Sequence, residues 1–234
     1  MTPRLRRIAV ALGVVGAGVG LLVAPAGAQE EPSGSASGIE GLLQTPILEL
    51  NLPPLPLIEL PPGGTNELPG LSVPGLLDAG LLQVTANEAP DNGAASTATV
   101  AGLAVLPGVA DVTGELITSA CEATPGGGSG DASLVNTSVA GTPVAVTPQP
   151  NTSIAIPLVG SVTLNEQTTE GGRTTVRALH IEVDAPLGVA ADLAVATSVC
   201  QAGAAAGGPG GPGGPEIPVA EAPTPTPATP TLAG

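Results

Sequence analysis

Between Pro143 and Val183 short apolar runs alternate with polar residues and are cut at intervals by Pro, Asn and Gly. Period-two alternation of this kind builds the strands of an antiparallel sheet. The last run is the clearest. Thr175, Arg177, Leu179, Ile181 and Val183 share one parity, and Val176, Ala178, His180, Glu182 and Asp184 share the other. From Leu179 onward one face is aliphatic and the other polar, the mark of a half-buried strand. Gly171-Gly172 tolerates positive φ and predicts a tight turn back from a strand over Ser161–Gln167.

The same reading extends to nine strands: Leu81–Asn87, Ala95–Leu106, Val109–Cys121, Ala132–Val139, Pro143–Thr147, Ser153–Ile156, Ser161–Gln167, Thr174–Asp184 and Asp192–Cys200. Asp91-Asn92-Gly93, Leu106-Pro107-Gly108 and the glycine-rich Thr124–Gly130 read as turns or loops between them. No stretch between the strands sustains a 3.6-residue period, which argues for a sandwich over an α/β fold. The expectation is an all-β chain with a single antiparallel β-sandwich domain over residues 81–201, a length that suits one sandwich.

The flanks read differently. Residues 1–28 have the form of a secretory signal peptide. Arg4, Arg6 and Arg7 precede an uncharged run from Ile8 to Val23, and Ala26-Gly27-Ala28 makes a small-x-small site, with cleavage between Ala28 and Gln29. The run is too short and glycine-rich for a spanning helix, and no later stretch is long enough, so no membrane span is expected after cleavage. The destination is secreted or extracellular, with cell-wall association as a variant.

Residues 29–80 divide into a Ser/Gly linker over Glu30–Gly38 and a Leu/Pro-rich segment over Ile39–Leu82 that slightly overlaps the sandwich. Its prolines argue for extended chain, with one edge strand at Pro46–Leu52. That many leucines need cover, so the segment is expected to drape over the sandwich or, second, to dock on a partner. Residues 202–234 form a Gly-Pro and Thr-Pro tail, read as a disordered stalk that cannot pack a core. Its threonines are candidate sites for O-linked sugars.

Composition narrows the partners. The 234 residues include no Phe, Tyr or Trp, so the core rests on Val, Leu, Ile and Ala, and the usual stacking platforms for sugars and bases are missing. Beyond the signal only Arg173 and Arg177 stand against 20 acidic residues, a charge that repels nucleic acid and anionic lipid. The partners left are cell-envelope or extracellular proteins or glycans. Oligomeric state is not legible.

Two stretches resemble each other: Val109-Ala-Asp111-Val112 leading to Cys121, and Ala190-Ala-Asp192-Leu193 leading to Cys200. If they are neighbouring strands, the two cysteines fall near corresponding ends. An exported chain with two cysteines favours pairing, so a Cys121–Cys200 disulfide is expected.

Candidate chemistry is thin. His180 is the only imidazole, on the polar face of its strand with Glu182 two residues on. A Ser-His-Asp arrangement would have to borrow its other members from elsewhere, and no G-x-S-x-G occurs in the domain. Glu166 with Glu170 or Glu182 are the carboxylate pairs a glycoside hydrolase would need. One His and two paired cysteines make no zinc cage. Asp111, Asp131, Asp184 and Asp192 are too scattered for a calcium loop. TPGGGSG at Thr124–Gly130 lacks the Lys and helix of a phosphate loop. Asn136-Thr-Ser138 and Asn151-Thr-Ser153 match glycosylation sequons. No catalytic, metal or cofactor residue is assigned.

Val73-Pro-Gly-Leu-Leu77, Leu103-Ala-Val-Leu-Pro107, Gly141-Thr-Pro-Val144, Pro150-Asn-Thr152, Val162-Thr-Leu-Asn-Glu-Gln167 and Val176-Arg-Ala-Leu-His-Ile181, with Ala191-Asp192 and Cys200, resemble the secreted "choice-of-anchor P" proteins of actinobacteria. The resemblance runs over residues 73–200. It implies an exported, β-rich surface protein ahead of interchangeable C-terminal anchors, and no known activity. A sorting motif of the LPxTG kind is expected after such a stalk, and Thr231-Leu-Ala-Gly234 does not supply it. Release, non-covalent retention or a shortened reading frame would each account for that. The functional expectation is a non-catalytic structural or interaction protein of the envelope. The alternatives are an extracellular hydrolase using His180 or paired carboxylates, and a calcium-stabilised adhesin.

Overall fold

The computed structural model describes residues 30–185 and 188–205. The signal peptide with its Ala28/Gln29 cleavage site, and the tail from residue 206 onward, lie outside the described residues.

The described chain is all-β, with two large antiparallel sheets packed face to face. One sheet has six strands. In spatial order these are β12 (Thr152–Ile156), β13 (Gly160–Glu170), β14 (Arg173–Ala185), β15 (Val189–Gln201), β1 (Ser33–Thr45) and β2 (Leu48–Leu60). The other is built on β7 (Gly93–Val105) and β8 (Val112–Thr124), paired along their length. β6 (Leu81–Ala89) and β3 (Gly64–Leu68) extend it beyond β7, joined by the short β4 (Leu71–Val73) and β5 (Leu77–Ala79). Beyond β8 lie β9 (Gly127–Val135) and the two-residue β10 (Ser138–Val139) and β11 (Thr142–Pro143).

Eight of the nine strands expected from Leu81 onward have a counterpart, with ends moved by a few residues; the other, Pro143–Thr147, is strand only at Pro143, the last residue of β11. Gly171 (φ 56°) and Gly172 (φ 81°) form the expected turn between β13 and β14. Two further expectations fail. Of the glycine-rich loop at Thr124–Gly130 only Pro125-Gly126 is a turn, and Gly127–Gly130 begin β9. The facing β14 explains its composition, since a Cβ on Gly128 would run into Thr174 and one on Gly130 into Val176. Glycine here allows close approach of the two sheets.

The second failure concerns the Ser/Gly linker and the draped Leu/Pro segment. Strands begin at Ser33, and β1 lies inside the six-stranded sheet between β15 and β2. Its small residues fit a crowded interior position. Gly34 and Gly41 face the backbone carbonyls of Val199 and Asp192, where a side chain would not fit. β2 covers its flank as an edge strand, so Pro53, Pro54 and Pro56 remove no hydrogen bond that an outer neighbour would need. The expected edge strand at 46–52 is the beginning of this longer one.

The main core is aliphatic and lies between the sheets, with Ile39, Leu43, Leu82, Val100, Ile117, Leu134, Leu164, Leu179, Ile181 and Leu193 fully buried. A smaller cluster (Leu60, Ala86, Ala94, Cys121, Ala123, Val176, Cys200) fills the end nearest the described chain ends. There Cys121 of β8 is bonded to Cys200 of β15, Cα to Cα 6.1 Å. The disulfide joins strands that face each other from opposite sheets; they are not neighbours in one sheet.

Candidate functional site

His180 sits at a place where the six-stranded sheet changes which residues it turns inward. On β14, Val176 and Ala178 are buried, and then Leu179, Ile181 and Val183. Two consecutive buried residues, Ala178 and Leu179, mark the change. The neighbouring strands change at the same level, at Leu164-Asn165 on β13 and Val195-Ala196 on β15. Asn165 (φ 50°) and Ala196 (φ 52°) take left-handed backbone there, which rotates the strand and lets successive residues share a face. Arg177 and His180 thereby become consecutive outward side chains, and Glu166, in register with Arg177, meets both.

The resulting cluster is compact. Arg177 Nη1 donates to Glu166 Oε2 at 3.0 Å, and His180 Nδ1 lies 3.0 Å from the same oxygen. His180 Nε2 lies 3.0 Å from Asp192 Oδ1 on β15. The ring therefore spans two carboxylates with its two nitrogens, and both contacts are donor bonds only when the imidazole is protonated. Neither nitrogen is left facing a serine, threonine or cysteine hydroxyl or thiol. Glu166, Arg177 and His180 are part-buried, whereas Asp192 is mostly exposed.

The carboxylate pairs considered from sequence are not brought together. Glu170 is four residues from Glu166 along β13, and Glu182 pairs with Ser161, five residues away. At a rise of about 3.3 Å per residue the separations are roughly 13 Å and 17 Å, against the roughly 5–9.5 Å used in glycoside hydrolysis. Among the described residues no group of three or more His, Cys, Asp or Glu is arranged to hold a metal ion. Asp111, Asp131, Asp184 and Asp192 stay apart in this sense. No helix among the described residues is long and apolar enough to cross a membrane, which says nothing of a β-barrel. The amides of both sequon asparagines are engaged, Asn136 with Glu115 and Asn151 with the backbone of Gln167.

The second feature is polar in the geometric sense: the two ends of the sandwich differ. At one end Asn92 Nδ2 donates to the carbonyls of Ala204 (2.9 Å) and Glu30 (3.3 Å), and Ala204 N donates to Glu30 O. The chain thus enters and leaves the sandwich side by side. β1 runs from its Ser33–Gln201 pair at this end to Thr45 at the other. Thirteen residues of strand span about 40 Å.

At the far end are the turns β1–β2, β4–β5 and β12–β13. The β4–β5 turn is made on Gly75, but the β1–β2 and β12–β13 turns are apolar where turn chemistry favours Asn, Asp and Gly. Ile47 is 96% exposed, Leu158 is 88% exposed, and Leu48 is also exposed. Leu158 holds φ at 65°, a left-handed conformation costly for a bulky side chain that gains no burial in return. Pro46, Ile47, Leu48, Pro74 and Leu76 line an open groove of about 420 Å³ between two of these turns. Glu49, Asp78, Asp111 and Asp184 are exposed around the same end. The arginines of the described residues lie elsewhere, Arg173 level with Gln201 and Arg177 level with Thr197.

Sequence reasoning had named His180 and Glu166 but not Arg177 or Asp192 as their partners, and had not singled out Ile47 or Leu158. The pairs Pro46-Ile47 and Pro157-Leu158, each between two strand-like runs, were the available signal. No family model, no curated protein and no solved structure matches the chain.

Proposed function

We propose that the chain is a non-catalytic interaction protein that acts outside the cytoplasm, secreted or held at the cell envelope, with residues 81–201 and the strands before them working as one sandwich. The observation that carries this reading is the placement of Glu30 and Ala204 side by side at one end, about 40 Å from exposed Ile47 and Leu158. The Pro-rich sequence after residue 205 attaches at that first end. A tail whose composition reads as a stalk therefore leaves from the end opposite the apolar turns. The signal-like residues 1–28, the Cys121–Cys200 disulfide and the likeness to choice-of-anchor P proteins agree with export.

The hydrolase reading has less support. Both nitrogens of His180 contact carboxylates, Glu166 and Asp192, and among the described residues no serine, threonine or cysteine side chain is bonded to the ring. The sheet edges are also poor docking sites. β2 is interrupted by prolines, the edge strands β3 and β12 have five residues each, and the outer side of the nine-residue β9 is met by the Gln167 amide on Gly130 O and by Val146 O on Leu134 N. The loops of the far end remain as the interaction surface.

Fractionation of the cells that make the protein, with intact mass of the species found, tests the reading. Recovery from the medium or envelope, beginning at Gln29, is expected. A cytoplasmic protein retaining Met1 or residues 2–28 would sink it.

A further inference from the structure

We infer that the far end of the sandwich docks a cationic amphipathic segment of another protein, with an apolar side chain of the partner seated between Pro46, Ile47, Leu48, Pro74 and Leu76. This deepens the interaction reading above and rests on it.

Three observations converge. Ile47 and Leu158 are aliphatic side chains held in water at turn positions, and Leu158 holds a left-handed backbone that Asn or Gly would adopt more easily. Strain kept without a packing gain is characteristic of binding sites. The groove beside Ile47 is open, shallow and mostly apolar, with room for one or two aliphatic side chains. Its surroundings carry charge of one sign, with Glu49, Asp78 and Asp184 exposed and no arginine among the described residues of that end.

Charge complementarity selects the occupant. An apolar groove at an end of the sandwich that exposes only carboxylates among its described charged residues matches a partner with an apolar stripe flanked by Lys or Arg. A lipid surface fits less well. Insertion of Ile47 and Leu158 would press Glu49 and Asp184 against headgroup phosphates, with no cation among the described residues of that end to bind them. A second copy would bring the same carboxylates face to face.

The test uses purified protein with its disulfide intact and a fluorescein-labelled peptide of alternating leucine and lysine, followed by anisotropy. Because it is done in solution, its outcome is independent of where cells place the protein. Binding that weakens with added salt, and weakens about tenfold or more in both Ile47→Ser and Leu158→Asn, supports the proposal. Both changes are at exposed turns, and Leu158→Asn relieves the backbone, so folding is expected to survive; unchanged thermal unfolding verifies it. Equal peptide affinity in both variants would overturn the proposal, since it would mean general attraction to an acidic surface. Ile47-dependent binding to phosphatidylcholine vesicles with none to the peptide would overturn it in favour of lipid. Concentration-dependent dimers abolished by Ile47→Ser, again with no peptide binding, would overturn it in favour of a second copy.

Discussion

The side-chain amide of Asn92 donates to the carbonyl of Ala204 across a sequence separation of 112 residues, at 2.9 Å. The same amide reaches Glu30 O, so one turn residue ties the entering and leaving chain together. Asn92 also holds φ at 62°, which suits Asn better than most residues. Asn92→Gly keeps that conformation and removes both donor bonds. About 1–2 kcal/mol of stability should be lost, with faster amide exchange at residues 203 and 204. Unchanged exchange there would mean that backbone bonds alone hold the ends.

Ser119 and Ser198 meet hydroxyl to hydroxyl at 2.7 Å between the two sheets, and Ser198 Oγ also donates to Ser119 O at 3.1 Å. Both are fully buried. Ser198→Ala strands the Ser119 hydroxyl, and is expected to cost about 1–3 kcal/mol in urea unfolding. Ser119→Ala with Ser198→Ala should cost less than the sum of the single changes, because the second removes a group already left without its partner. Strict additivity would show that the two hydroxyls are not coupled.

The Cys121–Cys200 bond closes a loop with a sequence separation of 79. In the chain-entropy account a loop of that length is worth on the order of 4.5 kcal/mol through the unfolded state. Replacing both cysteines by Ala should therefore lower stability by several kcal/mol and lower the denaturation midpoint. A change below about 1 kcal/mol would mean that the facing serines, Ser96 included, already hold the sheets together.

The cluster around His180 is expected to matter modestly for stability and not for turnover. Exposed and part-exposed ion pairs contribute about 0–1 kcal/mol. Glu166→Gln weakens the contacts to both Arg177 and His180. It should cost more than Asp192→Asn, whose carboxylate is 73% exposed. His180→Ala should leave any extracellular hydrolysis by the purified protein unchanged. Selective loss of a measured hydrolytic activity in a folded His180→Ala protein would restore the enzyme reading.

Apart from Pro143–Thr147, which is strand only at Pro143, the strands from Leu81 to Gln201 were legible because alternation is a local property of a half-buried strand. β1 and β2 were not. Ser33–Gly38 has the composition of a linker, and only its neighbours β15 and β2 make small residues advantageous there. Prolines in β2 argue against a central strand, and β2 is an edge, a distinction that depends on sheet order. Residues 127–130 misled for the same reason, since Thr174 and Val176 press on them from the other sheet. His180 and Glu166 were legible as polar groups on a strand face. Their meeting with Arg177 depends on the change of face at Ala178-Leu179, visible in sequence only as a doublet of apolar residues. The pairing of Cys121 with Cys200 followed from their number, while its direction across the sandwich required the fold.

The central claim is that the protein works outside the cytoplasm with its Ile47 end presented outward. Its most direct test is labelling of Ile47→Cys and Gly171→Cys proteins by a membrane-impermeant maleimide on intact cells and in their medium. The expected result is labelling before lysis, with Ile47→Cys reacting faster than Gly171→Cys wherever the protein is retained on the surface. Labelling of both only after lysis would contradict the claim.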